Sequence, residues 1–166
     1  MADTKPQAPA PMPQPTEEHQ KLYALAGDWE GDEEIAPSPW GPGGPAKGRS
    51  NIRVAVDGFF VVQDYVEVKD GKTVFRGHGI FGWDAQQQTY TWYWCDSMGG
   101  VPSQPSRGRW QGDTLVFESS SPQAQGRYTY RFEGDSTYHF TLQNSFDGGQ
   151  NWVTFMAGTY RKTTSA

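Results

Sequence analysis

Five Asp–Gly or Gly–Asp steps fall between short apolar runs: Asp57-Gly58, Asp70-Gly71, Gly112-Asp113, Gly134-Asp135 and Asp147-Gly148-Gly149. Such steps accept the left-handed backbone of tight hairpins, and connections this short join only antiparallel neighbours. The runs they bound predict strands near 29–36, 49–57, 59–69, 72–83, 89–97, 105–111, 114–120, 126–133, 137–145 and 151–162. Only 37–48, rich in Pro and Gly around Trp40, reads as a long loop. Sequential hairpins without long crossovers favour one closed, all-β, up-and-down antiparallel barrel of about ten strands over a sandwich, because closure leaves no open edge. A barrel of that size can enclose a cavity. Only 35% of the residues are hydrophobic, yet seven Trp, eight Tyr and nine Phe supply a core, since each aromatic removes a large area from water.

The N-terminal segment reads differently. Five prolines in residues 1–15 exclude a helix or a sheet ladder and predict a disordered, polyproline-like tail, leaving 16–166 for the barrel. Thr16 suits a helix N-cap, with Glu17 and Glu18 at the positive end of the dipole. Leu22, Leu25 and Ala26 form a narrow apolar stripe, and Gly27 closes the short helix. Gly27-Asp28-Trp29 then opens the strand series. The N-terminus lacks the pattern of a signal peptide, and no stretch is long and apolar enough to span a bilayer, so a cytoplasmic protein with no membrane partner is expected.

The formal net charge is −5, and the Lys and Arg residues are scattered. Without a basic face to neutralise phosphates, no nucleic-acid partner is expected. Cys95 is the only cysteine, which excludes an intrachain disulfide and a multi-cysteine metal site. Its neighbours Trp94 and Asp96 provide no cation to activate a thiolate, so a buried, inert thiol is expected. No zinc spacing, phosphate loop or nucleophile elbow is present.

Tight turns set registers. The step at Asp57-Gly58 places Ala55 opposite Phe60, Arg53 opposite Val62 and Asn51 opposite Asp64. The turn at Asp70-Gly71 then places Asp64 opposite Gly77 and Val62 opposite Gly79. One face would carry Asn51, Arg53, Phe60, Val62, Asp64, Val66, Phe75, Gly77, Gly79 and Phe81, and it is taken as the interior. Its glycines would make room beside Trp92 and Trp94, with Asp96 on the same side. Arg53 and Asp64 would then either pair with each other, to offset desolvation, or anchor the polar part of a ligand whose apolar body fills the barrel. Near the C-terminus, a three-residue loop would align Tyr128, Tyr130 and Phe132 with Tyr138, Phe140 and Leu142. His139 then points outward, His78 faces away from the expected interior, and His19 is solvated on the helix.

Several stretches carry a resemblance: LAGDWEG at 25–31, VDGFFVVQDY at 56–65, GHGIFGWDAQQQTY at 77–90, WYWCDSM at 92–98 and GTYRK at 158–162. Across roughly residues 17–162 the chain resembles a family of uncharacterised bacterial proteins, the domain of unknown function 1579, which has a lipocalin-like, calycin-like barrel. Trp83 stands where that family commonly has Tyr. The wider resemblance implies that Trp29 seals one barrel end and meets Arg161 in a cation–π contact. It also extends to nitrobindin-like haem barrels and fatty-acid-binding proteins.

The leading expectation is a protein that binds a small hydrophobic or amphipathic molecule, with Trp92 and Trp94 as walls and Arg53, Asp64 and Asp96 as polar anchors. One alternative is an isomerase or cyclase using an interior aspartate, Asp96 or Asp64, as acid or base. The other is a haem-binding barrel, for which His78 or His139 would have to be the axial ligand. Apart from that alternative, no cofactor is expected.

Overall fold

The computed structural model describes residues 9–163. Part of the Pro-rich segment, 1–8, and the end of the expected barrel domain, 164–166, lie outside the described residues. Residues 9–16 carry neither helix nor strand.

Ten strands close into one antiparallel barrel in which each strand pairs with its sequence neighbours and β1 with β10. They are β1 (Gly27–Ile35), β2 (Gly44–Ala55), β3 (Phe60–Lys69), β4 (Lys72–Asp84), β5 (Thr89–Asp96), β6 (Ser106–Gln111), β7 (Thr114–Ser120), β8 (Gln125–Glu133), β9 (Thr137–Ser145) and β10 (Val153–Lys162). The turn spacing predicts these bounds closely, except that β2 begins at Gly44 and shortens the Trp40 loop.

Because connections alternate between the two ends, the helical segment and the β2–β3, β4–β5, β6–β7 and β8–β9 links share one end. The segment comprises α1 (Glu17–Lys21) and a 3-10 turn over Leu22–Leu25. Gly27 does not cap a helix: Ala26 is already extended, and Gly27, at φ +148°, starts β1. Leu22 and Leu25 are fully buried, and Trp29 Nε1 donates to the Leu25 carbonyl at 2.9 Å. The Tyr23 hydroxyl donates to the Gly58 carbonyl at 2.9 Å, tying the segment to the β2–β3 link. His19 is not free in solvent: its ring meets Phe59 edge-on at 5.1 Å. This end of the barrel is plugged.

The β2–β3 register is the predicted one, with Ala55 opposite Phe60 and Asn51 opposite Asp64. The β3–β4 register is not. Val68 pairs with Thr73 and Glu67 with Phe75, which leaves Val74 as an extra residue in a β-bulge. Asp64 therefore faces His78, and Tyr65 faces Gly77. A one-residue slip exchanges the two faces of a strand, so the expected interior is corrected for β2 and β3. Ile52, Val61, Gln63 and Tyr65 are buried inside. Arg53 and Asp64 stand on the outer face, with side chains 54% and 55% exposed. On β4 the expected face is inward, with Gly79 and Phe81 buried.

Two further expectations are corrected. Cys95 is exposed, because it alternates with Trp92, Trp94 and Asp96, which point inward. The cation over Trp29 is Lys162, with Nζ 5.0 Å from the ring centroid. Lys162 is the register partner of Trp29, whereas Arg161 sits opposite Glu30 and is exposed. The aromatic pairing of β8 with β9 is as predicted. His139 points outward, within 3.0 Å of both Thr159 Oγ1 and Glu133 Oε2.

Candidate functional site

The end away from the helical plug is open, and behind it lies a cavity of about 630 Å³. One wall comes from β4 and β5. Trp92 and Trp94 lean across to the neighbouring strand because Gly77 and Gly79 leave space there. A Cβ on Gly77 would lie 2.0 Å from Trp94 Cζ2, and one on Gly79 would lie 2.5 Å from Trp92 Nε1. Trp92 stacks on Phe81 at 5.4 Å with an interplanar angle of 6° and meets Tyr128 edge-on at 5.0 Å. Trp94 Nε1 donates to Asp96 Oδ2 at 2.9 Å, while Asp96 Oδ1 accepts the Met98 amide at 2.9 Å. Asp96 is thus at the mouth, half-buried, and it orients an indole.

The opposite wall holds a residue absent from the sequence-derived set. Glu33 on β1 is 3% exposed. Tyr65 Oη donates to its carboxylate at 2.8 and 3.0 Å, and Tyr160 Oη donates to Oε1. The space comes from glycine again: a Cβ on Gly48 would fall 2.1 Å from Glu33 Oε1. Burial pushes the Glu33 carboxyl up to about 7; the Tyr65 hydrogen bond works against this, Glu67 adds to it, and Lys69 opposes it. Burial, and then the charge of Glu33, raises the Tyr65 phenol far above its ordinary value. Tyr65 and Tyr160 line the cavity and screen Glu33 from it. The signal for Glu33 was present in β1, where strict alternation from Trp29 through Gly31 turns Glu33 inward.

Between the walls lie Ser50, Gln63, Tyr130 and Tyr138. Gln63 Nε2 donates to Ser50 Oγ at 2.9 Å. Gln63 Oε1 and Trp92 Nε1 are buried without a hydrogen-bond partner among the described residues.

Of the five sequence-predicted site residues, Trp92, Trp94 and Asp96 line this cavity, and Arg53 and Asp64 do not. Outside the barrel, Asp64 lies 2.7 Å from His78 Nδ1 and accepts from Arg53 Nη1 at 2.8 Å. These contacts, His78 first, hold the Asp64 carboxyl below its ordinary range. The interior-aspartate alternative therefore loses Asp64. The haem alternative loses its ligands as well: His78 and His139 face outward, and no histidine lines the cavity among the described residues. No group of three His, Cys, Asp or Glu among the described residues is placed to hold a metal ion. No described helix is long and apolar enough to cross a membrane.

Comparison with known proteins agrees with the barrel. It resembles the Rv2717c protein of M. tuberculosis, with a TM-score of 0.68 at 16% identity, over 90% of this chain and 99% of that one. It also resembles the S-type phycobiliprotein lyase CPES of Guillardia theta, with a TM-score of 0.64 at 9% identity, over 91% of this chain and 95% of the lyase. No functionally curated protein matches the sequence. Residues 14–162 match the family described as protein of unknown function (DUF1579), and the chain belongs to that family.

Proposed function

We propose that this member of the DUF1579 family binds a small apolar or amphipathic molecule inside its barrel. The cavity itself carries this reading: about 630 Å³, open at one end and walled by Trp92, Trp94, Tyr65, Tyr128, Phe140 and Leu142. That volume and lining suit a ligand with a large apolar body and few polar contacts. A phycobiliprotein lyase is built on the same fold; the reading for this chain rests on its own cavity.

In this reading Trp92 and Trp94 hold the apolar body and Asp96 meets a polar group at the mouth. The Tyr65–Glu33–Tyr160 cluster supplies the interior polar contact expected of Arg53 and Asp64. The test is indole fluorescence titrated with a panel of hydrophobic molecules, with native mass spectrometry of protein from its source to identify a retained ligand. Quenching or a spectral shift by members of the panel is the expected result. No response at high micromolar concentration to any of them would overturn the reading.

Glu33 favours a second reading, an isomerase or cyclase in the same cavity. A carboxyl whose pKa lies near 7 is suited to both giving and taking a proton at neutral pH. Tyr65 stands between it and the ligand. A pH-dependent conversion lost in Glu33→Gln supports this reading; a ligand bound and released unchanged by both proteins leaves a binding protein.

A further inference from the structure

The β1–β2, β3–β4, β5–β6, β7–β8 and β9–β10 connections all lie at the open end. Three of them, 36–43, 97–105 and 121–124, contain no charged residue, in a chain that is 20% charged. In the fourth, 146–152, the only charge is Asp147, whose carboxylate is wrapped by Ser145, Gln150 and Asn151. The fifth is the two-residue turn Asp70-Gly71. Around this sparsely charged rim stand Trp40, Val74, Met98, Val101, Phe146 and Val153, exposed by 76, 51, 62, 92, 74 and 59%. Exposed apolar side chains scattered singly need no explanation, but six arranged around one opening do. The plugged end also exposes Val56, at 66%, with Val54 and Phe60 less exposed on the flanking strands, but the links there carry charge: Asp57 follows Val56, and α1 at that end carries Glu17, Glu18 and Lys21.

The collar is continuous with the cavity, since Trp40, Val74 and Met98 also line its mouth. Apolar side chains carried on separate loops around one opening fit a fluid apolar layer, into which each can sink independently. The rim charge is mixed and fits a zwitterionic surface: Asp70, Asp96 and Asp147 stand with Lys69 and Lys72 beside the β3–β4 turn, with Arg76, whose amide meets Ser97, and with Arg127, stacked over Trp152, in a chain that is net acidic.

We propose that the open end docks on a zwitterionic lipid surface, from which the apolar ligand passes into the barrel. This rests on the reading of the barrel as a binding protein. The expectation of no membrane partner followed from the lack of a spanning stretch, and lying against a lipid surface requires only exposed apolar tips.

The test is flotation of the full chain with phosphatidylcholine vesicles, with and without added phosphatidylserine, at low and high salt. The probes are the double variant Val101→Asp/Phe146→Asp, at positions that do not line the cavity, and Val56→Asp at the plugged end. The full chain should float with phosphatidylcholine alone, with little salt dependence. The double variant should partition about a hundredfold less or weaker still, as expected from losing two buried apolar side chains, and Val56→Asp should partition like the unaltered protein. Fluorescence titration with a water-soluble ligand should be unchanged in the double variant, which separates loss of docking from loss of cavity binding. Any of four results would overturn the proposal: no partitioning at millimolar lipid, partitioning that needs phosphatidylserine and vanishes in high salt, equal partitioning by the double variant, or a mouth-to-mouth dimer that buries the collar. If no ligand enters the cavity at all, the binding reading itself fails, whatever the vesicles show.

Discussion

Replacing Glu33 by Gln should alter how stability depends on pH. The folded protein holds this carboxyl at about 7, against 4.5 ordinarily. Between those values the folded state keeps a proton that the unfolded chain has already released. Stability attributable to Glu33 is therefore intact at low pH, falls as pH rises, and is lowest above 7, where a buried carboxylate is present in the fold. The full difference amounts to roughly 3 kcal/mol. Glutamine keeps an acceptor for Tyr65 and Tyr160 and cannot ionise. Below about pH 5 the variant should match the parent or be less stable by about 1 kcal/mol, from less favourable hydrogen bonds. Near about pH 8 it should be more stable by roughly 2–3 kcal/mol. Urea unfolding of both proteins across this range measures the difference, in which contributions from groups other than Glu33 cancel to first order. Parallel stability curves would refute the argument that Glu33 is ionisable and buried without a compensating cation.

Three further outcomes are expected. Gly77→Ala places a methyl group where Trp94 lies, at 2.0 Å; the indole must move, near-UV circular dichroism should change, and affinity for a cavity ligand should drop by about tenfold, the equivalent of one lost apolar contact. Arg53→Ala and Asp64→Ala disturb only an exposed cluster that also includes His78, so each should shift stability by about 1 kcal/mol or less and leave ligand titrations unchanged; a large loss of binding would return these residues to the site. Cys95 is exposed, so one thiol equivalent should react with a chromogenic disulfide in the native protein, and a reaction that requires denaturant would contradict the outward placement of β5's odd positions.

The strands, their antiparallel order and the closed barrel were legible because tight-turn chemistry is local: Asp-Gly steps and apolar alternation act over a few residues. The aromatic face of β8 and β9 was legible for the same reason, as was the inward set Trp92, Trp94 and Asp96. The expected interior of β2 and β3 was reversed by a single residue. Val74, left unpaired in the β-bulge, reverses which side of β3 meets the core. It carries Arg53 and Asp64 outside and brings Gln63 and Tyr65 in. Nothing in the local composition of 72–75 marks that bulge; it follows from how β3 and β4 fit into the closed sheet.

Glu33 shows the same division. Alternation in β1 is enough to point it inward, so its direction was open to inspection. Its role was not, because Tyr65 and Tyr160 approach from strands on either side of β1, next to the glycine gap at Gly48. The sequence alone determined the all-β class, the strand count and the aromatic content of the core, all consequences of turns and alternation along the chain. Only the closed barrel decided which charges face a ligand, because register across neighbouring strands, unlike propensity within one, depends on every pairing around the ring.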